Sequence, residues 1–398
     1  MKYDVVVVGA GPIGAIAARK SAEDGSRTLI IEEHRSIGSP VQCTGLISRE
    51  ALRESGLKPE TSFIYQRIRG ANVYSPSGRS IRVDGGRTRA YVIDRKIFDR
   101  TLVTRALDAG SEIMLSTRAT ALTNTEDGAV LTVERGGIRE NITAKVVIGA
   151  DGAKSNISRL CGLGRVKRTL TCIQIEGRYE TCDPGFVEIF LGNRFAPRFF
   201  AWAVPTTETI ARIGLCTEPE KTPPHEHLRR LLREHPIVSK RYKGSCTSLT
   251  LGSIPLGALR ETSTDGVIIT GDAAGQVKPT TGGGIYPGAI CAKIAGRVAA
   301  RGDPRRESLR DYDRMWQERI GRELKIGMQI HNAIGKLSDE RLDEFIHLLS
   351  DEKIMNLVRE YGEMDHPSIL FGKIASHLNK KDLFIFTGRL LKDLIRRR

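Results

Sequence analysis

A glycine turn held between a strand and a helix at the N-terminus constrains this chain most. Residues 3–8 form a short, continuous, β-branched run, the signature of a strand buried on both faces. Gly9-Ala10-Gly11-Pro12-Ile13-Gly14 follows at once, and a helical pattern runs over 13–24. A second strand is expected over 27–31, so the chain opens with a βαβ unit. Each glycine has its own reason. Gly9 permits the tight turn, Gly11 lets the backbone approach a pyrophosphate, and Gly14 lets helix and strand pack closely. The free N–H groups near Ile13 and Gly14 then face anionic phosphates. Glu32 closes the second strand, 23 residues after Gly9, where a carboxylate accepts hydrogen bonds from ribose hydroxyls and repels a 2′-phosphate. This pattern predicts a dinucleotide site, with NAD and FAD both open.

Further along, helical spacing opens near Asp94, and strands are expected over 112–116, 129–134 and 140–148. Residues 165–256 change texture. Alternating stretches at 171–180, 185–191, 199–204 and 209–215 predict an antiparallel sheet inserted into the first domain. A buried strand is expected over 266–271, and helical patterns dominate from 288 onward. A length of 398 residues suits this division: a discontinuous domain over 1–164 and 257–302, an inserted sheet over 165–256, and a helical region over 303–398.

Two more motifs decide between the nucleotides. Ile148-Gly149-Ala150-Asp151-Gly152-Ala153-Lys154-Ser155 follows one strand, and Thr270-Gly271-Asp272-Ala273-Ala274-Gly275 follows another. With the N-terminal turn they resemble the three signatures of the p-hydroxybenzoate-hydroxylase-like flavoproteins, within the glutathione-reductase-like superfamily. The resemblance implies an α/β fold with a Rossmann-like domain that binds FAD. It implies that Asp272 contacts the ribityl chain and that the run from Pro279 to Ile285 lies along the flavin ring. Small residues there let the backbone N–H groups of Gly284 and Ile285 reach the edge that gains negative charge on reduction. Arg95 matches the family's cofactor-binding arginine, and Ala119 sits where these proteins use backbone atoms against adenine.

Three segments resemble the archaeal geranylgeranyl reductases in particular. Gly38-Ser39-Pro40-Val41-Gln42-Cys43-Thr44-Gly45-Leu46 is similar to a loop that implies backbone contacts to flavin from Cys43, Thr44 and Leu46, with the Cys43 thiol facing the site. Thr44 departs from the small residue of that pattern. Pro197-Arg198-Phe199-Phe200-Ala201-Trp202-Ala203-Val204-Pro205 resembles a PxxYxWxFP motif, with Phe200 for tyrosine and Val204 for phenylalanine. Alternation puts Phe200, Trp202 and Val204 on one strand face, suited to lining an apolar tunnel. Phe200 has no hydroxyl and is excluded as a proton donor. Tyr312-Asp313-Arg314-Met315-Trp316 and Leu337-Ser338-Asp339-Glu340 resemble the family's helical C-terminal region.

The implied reaction is hydrogenation of geranylgeranyl double bonds in archaeal lipid precursors, hydride coming from flavin N5 and a proton from elsewhere. Cys43, Tyr286 and an ordered water are the sources considered. The donor of electrons stays open among NADPH, ferredoxin and F420H2, because no second GxGxxG supplies a separate site. An aromatic hydroxylase of the same fold, or a basic flavoprotein passing electrons to a membrane quinone, are the competing readings.

Charge bears on location. The net charge of +15 attracts phosphates, nucleic acids or anionic membranes alike. Helical spacing of apolar residues over 383–395, flanked by Lys380, Lys381, Arg389, Lys392, Arg396, Arg397 and Arg398, favours a helix lying on anionic lipid. A cytoplasmic protein, peripheral on the inner face of the membrane and not bound to nucleic acid, is expected. No signal sequence precedes the first strand, and no apolar run is long enough to span a bilayer. The seven cysteines are odd in number, scattered and without a CxxC, which argues against a disulfide framework and a metal site.

Overall fold

Two sheets, a small third sheet and a helical C-terminal region make up the computed structural model, which describes residues 1–60 and 62–377. The central sheet runs in the order Ser263–Thr264, Val267–Ile269, Ile138–Gly149, Lys2–Val8, Thr28–Ile31, Glu112–Met114. All pairs along it are parallel except the short edge pair Ser263–Thr264 with Val267–Ile269. Val5, Val6 and Val7 are fully buried, as the unbroken apolar run requires. The helices Pro12–Glu23, Arg95–Asp108 and Ile285–Ala299 pack together on one face of this sheet. Thr117–Thr125 and Gly128–Arg135 extend it as an antiparallel meander.

The second sheet has seven strands, in the order Tyr242–Leu256, Arg168–Tyr179, Ile210–Thr217, Ala201–Pro205, Phe186–Phe190, Gly70–Tyr74, Ser80–Asp84. It is antiparallel apart from the pairing of Phe186–Phe190 with Gly70–Tyr74. That pairing departs from the expected division at residue 164. Two strands from the first segment cross over and complete the sheet, which an insertion confined to 165–256 does not provide. The expected strand over 266–271 shrinks to Val267–Ile269, because Gly271 already begins a tight 3-10 turn. The helix expected from 288 starts at Ile285, so the glycine segment feeds straight into its first turn.

One disulfide corrects the cysteine reading. Cys172 and Cys216 oppose each other on neighbouring antiparallel strands and are bonded. Sequence spacing does not reveal this, since 44 residues separate them and only strand register brings them together. Closing a loop of this length stabilises a fold by ~2–4 kcal/mol. Cys172→Ser/Cys216→Ser is therefore expected to lower the unfolding free energy obtained from urea denaturation by that amount. Alkylation of the unfolded, unreduced protein should label Cys43, Cys161, Cys182, Cys246 and Cys291 and no others.

Among the described residues, no helix is long and apolar enough to cross a membrane. No group of His, Cys, Asp and Glu among them is arranged to hold a metal ion. The basic terminal helix expected over 383–395 lies outside the described residues.

Candidate active site

The N-terminal turn is built as its glycines demand. Gly9 has a φ of +104°, and a Cβ there would lie 2.5 Å from the Ala150 carbonyl oxygen. A Cβ on Gly14 would lie 1.8 Å from the Gly9 oxygen, so helix and turn touch backbone to backbone. Gly11 is different: a Cβ there would meet nothing within 4 Å. Open space therefore sits over the start of the helix Pro12–Glu23. That helix has proline in its first turn, no acidic residue there and no side-chain cap, leaving its N-terminal N–H groups for an anion. The Ile13 side chain fills the notch beside Gly271 and Gly288, where added Cβ atoms would approach it to 2.9 and 2.5 Å. It thereby fixes the first motif against the third. Glu32 accepts from Ala10 N at 2.8 Å and from His34 N at 2.9 Å, with His34 Nδ1 at 2.5 Å.

Asp151, in the second motif, caps the turn that follows it. Its carboxylate accepts from Ser155 Oγ and from the N–H groups of Asn156 and Ile157. Asn156 in turn donates to the carbonyl of Ala119 at 3.2 Å, so the backbone expected near adenine is tied to this motif.

Asp272 is the most exposed to electrostatic argument. Its carboxylate makes no hydrogen bond to any described residue, and a Cβ on Gly284 would lie 2.6 Å from its Oδ1. Burial pushes its pKa up to about 6, with Arg95 pulling the other way. A carboxylate brought to the start of a helix without a partner is suited to a ligand hydroxyl, and the ribityl chain of FAD supplies one. The carboxyl binds its proton more tightly folded than unfolded, where the ordinary value is 3.8. Its stabilising contribution is thus complete below about pH 4 and is lost as the pH rises through about 6, a loss of ~1–3 kcal/mol. Asp272→Asn should remove the loss. Flavin-free protein is expected to melt higher than wild type above pH 7 and equally near pH 4, while its FAD affinity falls.

Arg95 holds Asp99 through two bonds, Nε to Oδ1 at 2.9 Å and Nη2 to Oδ2 at 3.0 Å. Burial works against the guanidinium's charge, but Asp99 outweighs it and keeps the pKa above the ordinary value, with the Cys43 sulfur also alongside. Cys43 accepts from Gly45 N–H at 3.3 Å. The loop is held from across the molecule: Arg212 of the second sheet donates to the carbonyls of Thr44 at 2.6 Å and Ile93 at 3.2 Å, and to Glu176 at 2.8 Å. Leu46 then begins the small third sheet, opposite Val92. Arg95, Cys43 and Asp272 thus share one electrostatic neighbourhood, as three separate motifs require if they serve one cofactor.

An apolar cluster adjoins them. Trp202 and Val204 are buried together, with Phe199 and Phe200 packed against them, while Ala201 and Ala203 face the other core. Phe200 stacks on Phe199 and meets Trp202 edge-on at 6.2 Å. Trp202 Nε1 donates to Gln174 at 3.1 Å. Leu46, Ile254, Met328 and Met364 pack on the same cluster. A Cβ on Gly282 would lie 2.6 Å from Ile254 Cδ1, so the glycine segment rests directly on it.

Tyr286 turns toward the C-terminal region, its hydroxyl 3.1 Å from His366 Nε2. Burial, with Asp365 and Glu54 adding repulsion, pushes it up to about 12, so it keeps its proton at neutral pH. Tyr312 braces the third motif: its hydroxyl accepts from Gln276 Nε2 at 2.9 Å, and Gln276 Oε1 accepts from Gly271 N–H. Arg212, Gln276, Lys278, Asp365 and His366 were not singled out from sequence. Gln276 and Lys278 lie between the motif Thr270–Gly275 and the glycine segment 279–285, and that proximity is the one signal that could have found them.

The residues present fit an extended flavin nucleotide, and comparison with known proteins agrees. Residues 2–290 match the family model described as an FAD binding domain. The digeranylgeranylglycerophospholipid reductase of Methanocaldococcus jannaschii is 38% identical over 88% of this chain and 91% of its own length. An uncharacterized protein of the same organism is 33% identical over 99% of each. The crystal structure of a geranylgeranyl bacteriochlorophyll reductase-like protein from Thermoplasma acidophilum superposes with a TM-score of 0.87 at 26% identity, covering 99% of both chains. The chain is an FAD-binding oxidoreductase and belongs to the family of the archaeal digeranylgeranylglycerophospholipid reductases.

Proposed function

We propose that this protein saturates the double bonds of geranylgeranyl chains carried on archaeal glycerophospholipids or their phosphate precursors. The contact of the glycine segment, at Gly282, with the apolar cluster around Phe200, Trp202 and Val204 carries this reading. It brings a polyprenyl-compatible surface against the segment expected to lie along the flavin.

Reduced FAD, when bound, supplies the hydride. The protein does the rest. The N–H groups at Ile13 and Gly14 hold the pyrophosphate, Glu32 the ribose and Asp272 the ribityl chain. The N–H groups of Gly284 and Ile285 offer a helix start to the negative edge of the ring. Phe200, Trp202 and Val204 keep water from the alkene and hold it in reach, which a carbocation-like transition state needs. The second hydrogen arrives as a proton. Cys43, in the loop clamped by Arg212, and Tyr286, whose hydroxyl meets His366, are the side chains we assign as its candidate sources. The basic segment 380–398 holds the enzyme on anionic lipid, and electrons arrive from NADPH, ferredoxin or F420H2.

The test is anaerobic. Protein loaded with FAD and bleached by a stoichiometric amount of dithionite is mixed with a geranylgeranyl glycerolipid. Return of the oxidised-flavin absorbance without oxygen is expected. A spectrum that stays bleached until air is admitted would instead favour a hydroxylase and overturn the proposal.

A further inference from the structure

Next to the glycine segment lies a buried ion pair. Lys278 Nζ is 2.5 Å from Asp365 Oδ1 and 3.3 Å from the Met364 carbonyl. Both side chains are buried, at 9% and 1% relative exposure. Replacing such a pair by apolar residues is often neutral or stabilising, so burial of these charges is weak evidence for a purely structural role. The second oxygen, Asp365 Oδ2, is buried without any hydrogen-bond partner.

The placement of Lys278 is specific. Its backbone closes the loop, donating from N–H to the Gly283 carbonyl at 3.2 Å and accepting from Gly282 N–H at 2.8 Å. Its side chain folds back over the same loop: a Cβ on Gly283 would lie 2.9 Å from Lys278 Cε and 3.3 Å from Nζ. The ammonium therefore rests on the segment whose next residues, Gly284 and Ile285, start the helix toward the ring. Asp365 comes from elsewhere, the connection between the helices Glu352–Tyr361 and Pro367–His377. The C-terminal region thus contributes the counterion to a cation seated on the glycine segment.

We propose that the Lys278–Asp365 pair sets the reduction potential of the bound FAD. The inference rests on the reading that residues 279–285 lie along the flavin. Two electrons and one proton convert the oxidised ring to its anionic reduced form. The added negative charge is stabilised by a nearby cation in a poorly screened interior and destabilised by a nearby carboxylate. Lys278 raises the potential, and Asp365 holds the rise in check. Because Asp365 arrives from the C-terminal region, docking of that region tunes how strongly the flavin drives reduction.

The two partners therefore predict shifts of opposite sign. Potentials are measured on FAD-loaded protein, without lipid, by equilibrium titration with dithionite against a dye of known potential. Lys278→Met is expected to lower the potential and Asp365→Asn to raise it, each by at least about tenfold in the reduction equilibrium, ~30 mV for a two-electron couple. Lys278→Arg should stay close to wild type. If Lys278→Met does not retain FAD, because Asp365 is left buried and unpaired, Asp365→Asn decides alone: a raised potential supports the proposal, and an unchanged or lowered one overturns it. Shifts in the same direction also overturn it, since they report a general disturbance of the loop. A failure of lipid reduction leaves these potentials untouched, so the two readings fail separately.

Discussion

Gly14→Ala is expected to yield protein that no longer retains FAD through gel filtration, with affinity reduced at least about a hundredfold, ~3 kcal/mol. The argument is one of space. The new methyl would be 1.8 Å from the Gly9 carbonyl oxygen, and both partners are backbone, so neither a rotamer change nor a flexible side chain relieves the clash. The helix Pro12–Glu23 must move away from the turn, carrying its N-terminal N–H groups off the pyrophosphate position. Ile13, wedged beside Gly271 and Gly288, must move with it, which disturbs the third motif as well. Gly11→Ala is the informative control. Its Cβ meets no protein atom, so the flavin-free protein should melt like wild type, yet FAD affinity should fall because the methyl enters the space the pyrophosphate needs. Isothermal titration and thermal melts of both variants separate steric damage to the fold from obstruction of the ligand.

Trp202→Ala is expected to destabilise the protein by ~3–5 kcal/mol, as large-to-small changes in a packed interior do. Trp202 lies in the centre of the apolar cluster, edge-on to Phe200, and its indole N–H is the partner of the buried Gln174 amide oxygen. Losing the ring opens a cavity, and losing the N–H strands a polar atom at a further cost of about 1–3 kcal/mol. Trp202→Phe keeps most of the apolar area and isolates the second effect. Urea denaturation of the pair measures both. On the proposed function, the alanine variant that remains folded should also show a raised KM for geranylgeranyl lipid with its FAD affinity unchanged, because the lost ring belongs to the apolar cluster assigned to the lipid and not to the nucleotide site.

The nucleotide half of the site was legible in the sequence because its chemistry imposes local patterns. A turn that receives a pyrophosphate has to place Gly9, Gly11 and Gly14 within a few residues, and the strand before it and Glu32 after it follow from the βαβ geometry. Asp272 and the glycine run from Gly282 to Gly284 are readable for the same reason. The shared face of Trp202 and Val204 was also legible, through the period of two that a strand enforces, whereas Phe200 precedes the strand Ala201–Pro205 and packs on the same cluster as its neighbour Phe199.

What was not legible is what distance in sequence conceals. Arg212 reaches Thr44 across 168 positions, and Lys278 reaches Asp365 across 87. Nothing local to either partner announces the other. Cys172 and Cys216 meet only because two strands align in one register. The strand Tyr242–Leu256 lies at the sheet edge with much of its length exposed, so its sequence carries little of the apolar alternation that marks a half-buried strand. Gly70–Tyr74 and Ser80–Asp84 read as part of the first domain because a parallel crossover into the second sheet leaves no mark at the point of departure.

Mass spectrometry of the lipid tests the central claim most directly. FAD-loaded protein, reduced by dithionite in deuterium oxide without oxygen, is incubated with a digeranylgeranyl glycerophospholipid. The account predicts product ions heavier by one pair of hydrogens for each double bond saturated, deuterium included, and none when FAD is omitted. Lipid recovered with its mass unchanged from folded, flavin-loaded, fully reduced protein would contradict it.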